Sequence, residues 1–232
     1  MLNKKIIITI DGPAGAGKTT VSRFLAERLG YKYIDNGALY RAIALAVMES
    51  RVDYFNDSEL SVLFSGIGLK FILNEKGPRL VLNGQDITER IRTPEITMLA
   101  SSVSARPVVR KYLLNIQREL GMEKGAVFEG RDMGTVVFPE AEVKFYLNAS
   151  EKERAKRRFK ELSSKSFASS VTLEQVEADM KRRDKDDSTR ELAPLKPAND
   201  AVIINSSDVS VEDVVNIMLL EIEKYSNRIR LV

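Results

Sequence analysis

The feature that most constrains this chain is a glycine-rich loop placed between two segments of different periodicity. The run Lys5–Ile10 is apolar without helical spacing, which predicts a short buried strand. The octapeptide Gly12-Pro13-Ala14-Gly15-Ala16-Gly17-Lys18-Thr19 comes next. It is followed by apolar residues at helical spacing, which end at Gly30, a residue suited to a helix C-cap; they are Val21, Phe24, Leu25 and Leu29. A strand, a tight turn and a helix in this order predict the opening of a βαβ unit.

The octapeptide also has the residue types that a phosphate group needs. Glycine allows successive backbone N–H groups to turn inward around phosphate oxygens, and the helix that follows adds its positive N-terminus. Lys18 would supply a point charge between the β- and γ-phosphates, and Thr19 would hold Mg²⁺. The alternative is a glycine-rich turn that only caps a helix. It is disfavoured because the loop lies between a strand and a helix, where the phosphate-binding motif must lie.

Four more short apolar runs predict the rest of a sheet. They are Tyr31–Asp35, Ala126–Glu129, Val143–Leu147 and Ala201–Asn205. Runs that are apolar almost throughout are typical of parallel strands covered on both faces, so we expect an α/β fold. Further helices are predicted from Pro107 onward and over Val211–Tyr225.

Two segments interrupt this alternation. Gly66–Ile87 alternates as two or three short strands, with turn residues at Asn74–Pro78 and Asn83–Gly84, which predicts a small antiparallel insertion. Glu151–Arg190 is charged throughout. Charged segments of this kind move over an active site more often than they pack a core.

Composition excludes several classes of chemistry. The chain of 232 residues contains no cysteine and no histidine, so thiol nucleophiles, Cys/His zinc sites and imidazole acid–base catalysis are impossible. Its 36 basic and 33 acidic residues give a net charge of +3, too weak a field to indicate nucleic-acid binding. The longest uninterrupted apolar run, Ala42–Met48, is about a third of a membrane span. We therefore expect a soluble, cytoplasmic protein with no membrane partner.

Polar residues follow the second and third predicted strands. Glu129-Gly130-Arg131-Asp132 and Asp35-Asn36-Gly37-Ala38-Leu39-Tyr40-Arg41 lie where open α/β sheets bind ligands. A surface turn with a trivial ion pair, or an Asx turn with an exposed arginine, is the competing interpretation. The Asn-Lys-x-Asp element of guanine-specific GTPases is absent; the nearest match, Asn83-Gly84-Gln85-Asp86, lacks the lysine.

The charged segment carries two arginine groups. Arg183, Asp187 and Arg190 have spacings that place them on one helical face. Arg154, Arg157 and Arg158 also share a face. Solvated charge and minor surface bridges are the ordinary interpretation of both groups, although arginines beside a triphosphate can neutralise a migrating phosphoryl group.

Taken together, these blocks resemble the bacterial cytidylate kinases. The resemblance runs in order over nearly the whole chain and rests on GPAGAGKTT, DNGALYR, EGRDMGTVVFP and KRRDKDDSTRELAPLKPA. It implies a five-stranded parallel sheet of the P-loop kinase type, a small antiparallel insertion that binds the nucleoside monophosphate, and a helical lid. A single domain is expected over residues 1–232, with core 1–50, 106–151 and 191–232, insertion 51–105 and lid 152–190.

The resemblance also implies a reaction, ATP + CMP ⇌ ADP + CDP, with dCMP as a second acceptor, Mg²⁺ as cofactor and a monomeric enzyme. The residues implied to bind ATP are Gly12, Pro13, Ala14, Gly15, Ala16, Gly17, Lys18, Thr19, Thr20, Arg157 and Arg158, with Thr19 on the metal. Those implied to bind the acceptor are Asp35, Asn36, Arg41, Ser101, Arg110, Arg131, Asp132, Arg183, Asp187 and Arg190. The residues expected to be catalytic are Lys18, Arg131, Asp132, Arg183 and Asp187.

Within the acceptor set, the resemblance places Arg41, Arg131 and Arg190 on the phosphate and Arg183 and Asp187 on the ribose. Ser101, Arg110 and Asp132 face the cytosine. The family commonly has serine where this chain has Asn36, so the usual hydroxyl contact would be replaced by an amide N–H.

Two alternatives stay open from the residues. A kinase for another small acceptor, such as a different monophosphate or a hydroxyl-bearing metabolite, would keep the phosphate loop. An RNA-binding NTPase would use the basic runs, but these are interleaved with acids and carry almost no aromatic residues for stacking.

Overall fold

A computed structural model describes residues 4–74, 77–163 and 172–230. Within them the chain forms eight strands and eight α-helices. The strands are β1 (Ile7–Asp11), β2 (Lys32–Asp35), β3 (Leu69–Asn74), β4 (Gly77–Leu82), β5 (Gln85–Asp86), β6 (Ala126–Gly130), β7 (Val143–Asn148) and β8 (Val202–Asn205). The helices are α1 (Lys18–Leu29), α2 (Asn36–Ser50), α3 (Asp57–Gly66), α4 (Pro94–Ser104), α5 (Pro107–Gly121), α6 (Glu151–Ser163), α7 (Leu173–Thr189) and α8 (Val211–Arg230).

The chain divides into two compact units. One contains residues 1–33 and 123–232, and the other contains residues 34–122. The boundaries predicted for core, insertion and lid are a different division of the chain and stay a prediction.

The five predicted core strands form one sheet, in the order β2-β6-β1-β7-β8. Strand β1 pairs in parallel with β6 and with β7, and β7 pairs in parallel with β8. Ile8, Ile10 and Phe145 are almost fully buried, and α1 and α8 pack into the same core through Leu25 and Met218. The predicted α/β class with a parallel sheet is confirmed. Its strands are apolar almost throughout, as expected for a parallel sheet whose two faces are buried.

The register of this sheet brings distant loops together. Asp11 at the end of β1 lies opposite Gly130 at the end of β6, and Tyr146 of β7 lies opposite Asp11 on the other side. The carboxyl ends of these strands therefore share one edge. The loops that follow β1, β6 and β7 leave the sheet there.

The unit of residues 34–122 is built around α2. Asp35 caps this helix by accepting a hydrogen bond from Ala38 N at 3.0 Å, so α2 begins at Asn36. Arg41 therefore lies in the second turn of this helix and not at its start. The core contains Leu39, Ile43 and residues from α3, α4 and α5.

The predicted antiparallel insertion is confirmed as a three-stranded sheet in the order β3-β4-β5. Asn83 and Gly84 form the second turn with φ of 49° and 82°, the left-handed pair that a two-residue hairpin requires. The turn predicted at Asn74–Pro78 includes residues 75–76, which lie outside the described residues.

Helices α6 and α7 form a small packed pair in the unit that contains the parallel sheet. Ala155, Val176 and Met180 are buried between them, and Ala14 of the phosphate loop packs against this cluster. Within the described residues, no helix combines the length and the apolar character needed to cross a bilayer.

Candidate active site

The glycine-rich loop connects β1 to α1 in a conformation that only glycine adopts easily. At Gly12, φ is 148° and an added Cβ would lie 2.0 Å from the carbonyl oxygen of Leu147. At Gly15, φ is 72° and an added Cβ would lie 2.7 Å from the carbonyl oxygen of Arg154. No side chain caps the N-terminus of α1 at Gly17, so its first N–H groups are available to an anion.

Lys18 begins α1, and its ammonium folds back over the loop. Its Nζ donates a hydrogen bond to Pro13 O at 2.7 Å, and the side chain is buried. The pKa of Lys18 is lowered from 10.5 to about 7, mainly by burial. The guanidiniums of Arg131 and Arg183 act in the same direction, and the carboxylates of Glu129 and Asp11 oppose them. The lysine therefore lies in a field that is already positive and that a phosphate chain would neutralise.

The next residue, Thr19, meets the end of β6. Its Oγ1 donates to Glu129 Oε1 at 2.8 Å, and the Glu129 side chain is buried. A hydroxyl and a carboxylate are the hard oxygen ligands that Mg²⁺ prefers, so this pair fits the cation. Across the described ranges there is no group of three or more acidic residues that would form an all-protein metal cage. Thr20, also predicted to bind ATP, is exposed in the first turn of α1.

An ionic cluster forms where β6 ends and α7 ends. Asp187 Oδ2 accepts from Arg131 Nε at 3.1 Å, and Asp187 Oδ1 accepts from Arg190 Nη1 at 3.3 Å. The structure thus brings together three of the residues predicted to bind the acceptor. Burial raises the pKa of Asp187, but the charges of Arg131, Arg183 and Arg190 outweigh it and hold that pKa below its ordinary value.

The loop after β6 is anchored by a residue that the sequence did not single out. Asp11 accepts hydrogen bonds from Met133 N at 2.9 Å and from Gly134 N at 2.8 Å, next to Asp132, which is itself buried. Burial raises the pKa of Asp11 from 3.8 to about 6 despite these two bonds. An acidic residue at the end of an apolar run is the only sequence signal, because its partners lie in the loop that follows β6, more than 120 residues along the chain.

One residue of α6 and one of α7 form hydrogen bonds with the backbone of the phosphate loop. Arg154 Nη1 donates to Ala14 O at 3.1 Å, and Asp184 Oδ1 accepts from Ala14 N at 3.3 Å. Arg154 and Asp184 form an ion pair, and Arg154 Nε also donates to Ala149 O at 3.0 Å. Arg154 is 7% exposed, so the interpretation of it as a solvated surface charge is wrong.

The two other arginines of α6 have different surroundings. Arg157 donates to Ser206 Oγ at 3.1 Å and to Ser206 O at 2.6 Å, and Ser206 Oγ donates in turn to Ala16 O at 3.0 Å. Arg157 is thereby linked to the phosphate loop through the residue after β8. Arg158 pairs with Glu161 at 2.8 Å on the surface of α6.

The remaining candidates belong to the unit of residues 34–122. Arg41 Nη2 pairs with Asp35 at 2.8 Å, and the Nε of Arg41 is enclosed without a hydrogen-bond acceptor among the described residues. Asn36 is buried, and its Oδ1 accepts from Gln117 Nε2 at 2.7 Å. These side chains place donors at the N-terminus of α2.

Two residues predicted to face the cytosine, Arg110 and Ser101, lie on other helices of this unit. The guanidinium of Arg110, on α5, stacks 5.6 Å from the ring centre of Tyr40. Ser101 lies on α4, where its carbonyl oxygen accepts from Ser104 Oγ at 2.7 Å.

Known proteins resemble this chain along most of its length. The family model described as cytidylate kinase matches residues 8–224. A cytidylate kinase of Geobacter sulfurreducens is 47% identical over 213 residues, which are 92% of this chain and 91% of that protein. A cytidylate kinase of Pasteurella multocida is 44% identical over 224 residues, 97% and 98% of the two chains.

Solved structures support the fold. A shikimate kinase from Bacteroides thetaiotaomicron has a TM-score of 0.50 at 14% identity, covering 95% of this chain and 99% of that one. An uncharacterised protein from Eubacterium ventriosum reaches 0.54 at 14% identity, covering 94% and 99%. At this identity the likeness concerns the fold alone. The family match, by contrast, includes the phosphate loop and the Arg131–Asp187 cluster, and the chain belongs to the cytidylate kinase family, as the resemblance of its motifs predicted.

Proposed function

We propose that this chain transfers the γ-phosphate of ATP to CMP or dCMP, giving ADP and CDP or dCDP. The observation that carries the proposal is the family match over residues 8–224, joined by relatives named cytidylate kinase at 44–47% identity. The reaction breaks the bond between the γ-phosphorus and the β–γ bridging oxygen. It forms a bond from that phosphorus to an oxygen of the acceptor phosphate.

The donor is held by the glycine-rich loop. Backbone N–H groups from Gly15 to Thr20 surround the β-phosphate, since Pro13 has no N–H and that of Ala14 donates to Asp184. Lys18 exchanges its bond to Pro13 for phosphate oxygens. Arg157 and Arg158 of α6 are the proposed arginines for the triphosphate nucleotide. Arg157 is better placed than Arg158, since Ser206 links it to Ala16.

The cofactor proposed is Mg²⁺, with Thr19 as its ligand. The Thr19–Glu129 pair supports this, because a threonine that donates its proton to a carboxylate presents its oxygen lone pairs outward. When bound, the cation would neutralise charge on the β- and γ-phosphates. Glu129 holds the threonine hydroxyl in the orientation that this requires.

The acceptor residues are proposed for each unit separately. In the unit with the parallel sheet, Arg131 and Arg190 bind the acceptor phosphate, Arg183 and Asp187 bind the ribose, and Asp132 binds the cytosine amine. An aspartate that accepts from that amine favours cytosine over uracil, which presents a carbonyl there. In the unit of residues 34–122, the proposed contacts are Asp35, Asn36 and Arg41 to the phosphate and Ser101 and Arg110 to the base.

The mechanism needs no general base. An acceptor phosphate oxygen is anionic at neutral pH, unlike a sugar hydroxyl, so a chain without histidine can catalyse the transfer. The residues act by aligning the donor and acceptor phosphates and by neutralising their negative charge. Lys18, Arg131 and Arg183 supply the positive charge, and Asp187 holds Arg131 and Arg190 in place.

The experiment that tests the function is an ADP-release assay with MgATP and, in parallel, CMP, dCMP, UMP, AMP, a hydroxyl acceptor such as shikimate, RNA and no acceptor. We expect fast turnover with CMP and dCMP and little with the others. Turnover only with a hydroxyl acceptor, or hydrolysis stimulated by RNA, would overturn the acceptor assignment and leave the phosphate loop in place.

The ribose role of Asp187 is tested by substitution. Asp187→Ala should lower kcat/KM for CMP by about tenfold or more, since a hydrogen bond between charged and neutral groups is removed and two guanidiniums lose their counter-ion. The loss should be larger for CMP than for dCMP, which lacks the 2′-hydroxyl. Asp186→Ala, an exposed aspartate beside it on α7, is the matched control. A loss below about threefold for CMP would show that the ribose role is wrong.

We also propose that the chain acts as a cytoplasmic monomer without a nucleic-acid partner. Its net charge of +3 supports the last point. Light scattering after size-exclusion chromatography should give a mass near 26.0 kDa; a mass twice as large would contradict the monomer.

A further inference from the structure

A buried pair of amides joins α2 to α5. Gln117 Nε2 donates to Asn36 Oδ1 at 2.7 Å, across 81 residues of chain. Asn36 is 2% exposed and Gln117 is 1% exposed. Both residues belong to the compact unit of residues 34–122. Two amides buried at this depth can rarely rotate freely, because each would lose its hydrogen bond.

The bond leaves one end of the Asn36 amide unused. An amide has an acceptor oxygen and a donor nitrogen, and Gln117 occupies the oxygen. No side chain or carbonyl oxygen in residues 4–74, 77–163 or 172–230 accepts a hydrogen bond from Asn36 Nδ2. Asn36 Nδ2 is not one of the enclosed side-chain atoms, so it is the accessible end of a side chain that is otherwise buried. A ligand can therefore reach this nitrogen, while Gln117 fixes the oxygen at the buried end.

The surroundings of Asn36 indicate what kind of ligand that is. Asn36 is the first residue of α2, where backbone N–H groups and the helix dipole favour an anion. Arg41, one turn further on, has an enclosed Nε for which the described part of the chain offers no acceptor. The carboxylate of Asp35, the preceding residue, is already engaged by Ala38 N and by Arg41 Nη2. Two unused donors beside a helix N-terminus suit a phosphate group.

We propose that Gln117 is a positioning residue, which holds the Asn36 amide so that its nitrogen donates to the acceptor phosphate. The inference rests on the proposed function, in which Asn36 contacts that phosphate. A serine hydroxyl can rotate to donate to an anion, but an amide turned the wrong way presents its oxygen and repels it. A chain with asparagine at this position therefore needs a second residue to fix the amide, and Gln117 supplies it by donating to the oxygen.

The decisive variant is Gln117→Glu, assayed at pH 8.5 so that the carboxylate is ionised. A carboxylate only accepts hydrogen bonds, so it attracts Asn36 Nδ2 and turns Oδ1 toward the phosphate. We expect KM for CMP to rise about tenfold or more, while KM for MgATP changes less than about twofold. Gln117→Met, which keeps the length without donor or acceptor, should give a smaller rise. It also keeps the test valid if the buried carboxylate prevents folding.

The control is the same substitution made in the Asn36→Ser background. A hydroxyl needs no orienting partner, so Gln117→Glu should change KM for CMP less than about threefold there. Equal losses in the two backgrounds would overturn the proposal, because residue 117 would then act through charge or folding. Asn36→Ala separates the two hypotheses. If it leaves KM for CMP unchanged, the phosphate contact of Asn36 fails; if it raises KM while both Gln117 variants do not, only the positioning role fails.

Discussion

Nucleotide binding should raise the pKa of Lys18, so that this side chain takes up a proton. In the free protein, burial and the guanidiniums of Arg131 and Arg183 lower the pKa of Lys18 to about 7. At pH 8 this side chain is therefore about nine-tenths uncharged. A bound triphosphate places several negative charges beside the amine and favours the ammonium, which returns the pKa toward its ordinary 10.5. The expected uptake at pH 8 is about 0.9 proton for each ATP bound.

Calorimetry measures this uptake directly. ATP is titrated into the protein at pH 8, where its own phosphates are almost fully ionised. The buffers differ in ionisation enthalpy and contain no phosphate that would compete for the loop, for example HEPES and Tris. The observed binding enthalpy should change linearly with the buffer enthalpy, with a slope that corresponds to about one proton taken up. Lys18→Arg is the control, since a guanidinium stays protonated in both states and should give a slope near zero.

Two results would refute the reasoning. A flat dependence in the unsubstituted protein would mean that Lys18 is already charged in the free state. An equal slope in Lys18→Arg would mean that the proton goes to another group. The most obvious one is Asp11, whose pKa is raised by burial to about 6 and which also lies close to Lys18.

Two further substitutions test the packing of the phosphate loop. Gly12→Ala should lower the free energy of unfolding by about 3 kcal/mol or more, because its Cβ would lie 2.0 Å from Leu147 O. Gly30→Ala, with φ of 65° and open space around the Cβ, should cost only about 1 kcal/mol, and equal losses in urea unfolding would contradict the steric argument. Arg154→Met should destabilise by about 3 kcal/mol by leaving Asp184 without its buried counter-ion, and adding Asp184→Asn should recover part of that loss. Strictly additive losses in the double variant would show that the pair is not coupled.

Local features of the fold are predictable from the sequence because each depends on neighbouring residues. The strand, loop and helix around Gly12–Thr19 follow from a change of periodicity, and Gly30 ends α1 in the left-handed conformation expected of a C-cap. Asn83–Gly84 forms its tight turn for the same kind of reason. Membership of the cytidylate kinase family was also predictable, because several motifs occur in order.

The contacts that hold the site could not be predicted in this way. Asp11 binds Met133 N and Gly134 N across more than 120 residues, and Ser206 binds Ala16 across 190. These pairs meet because the strand order places β6 and β7 on either side of β1 and β8 beside β7, a property of the whole sheet. The charge pattern of α6 is ambiguous for the same reason. Nothing in its spacing distinguishes Arg154, which is buried on the loop, from Arg158, which pairs at the surface.

The electrostatics of the parallel-sheet unit explain how catalysis can proceed without histidine. Asp187 is one carboxylate among Arg131, Arg183 and Arg190. The guanidiniums of Arg131 and Arg183 also help to lower the pKa of Lys18. At the Lys18 amine the guanidiniums therefore act more strongly than the carboxylates of Glu129 and Asp11. A bound phosphate chain would reverse the sign of that field and restore the charge of Lys18. Because Asp187 holds the guanidiniums of Arg131 and Arg190 before the nucleotide arrives, these two groups need little reorganisation as the phosphoryl group moves, which is the condition for electrostatic catalysis.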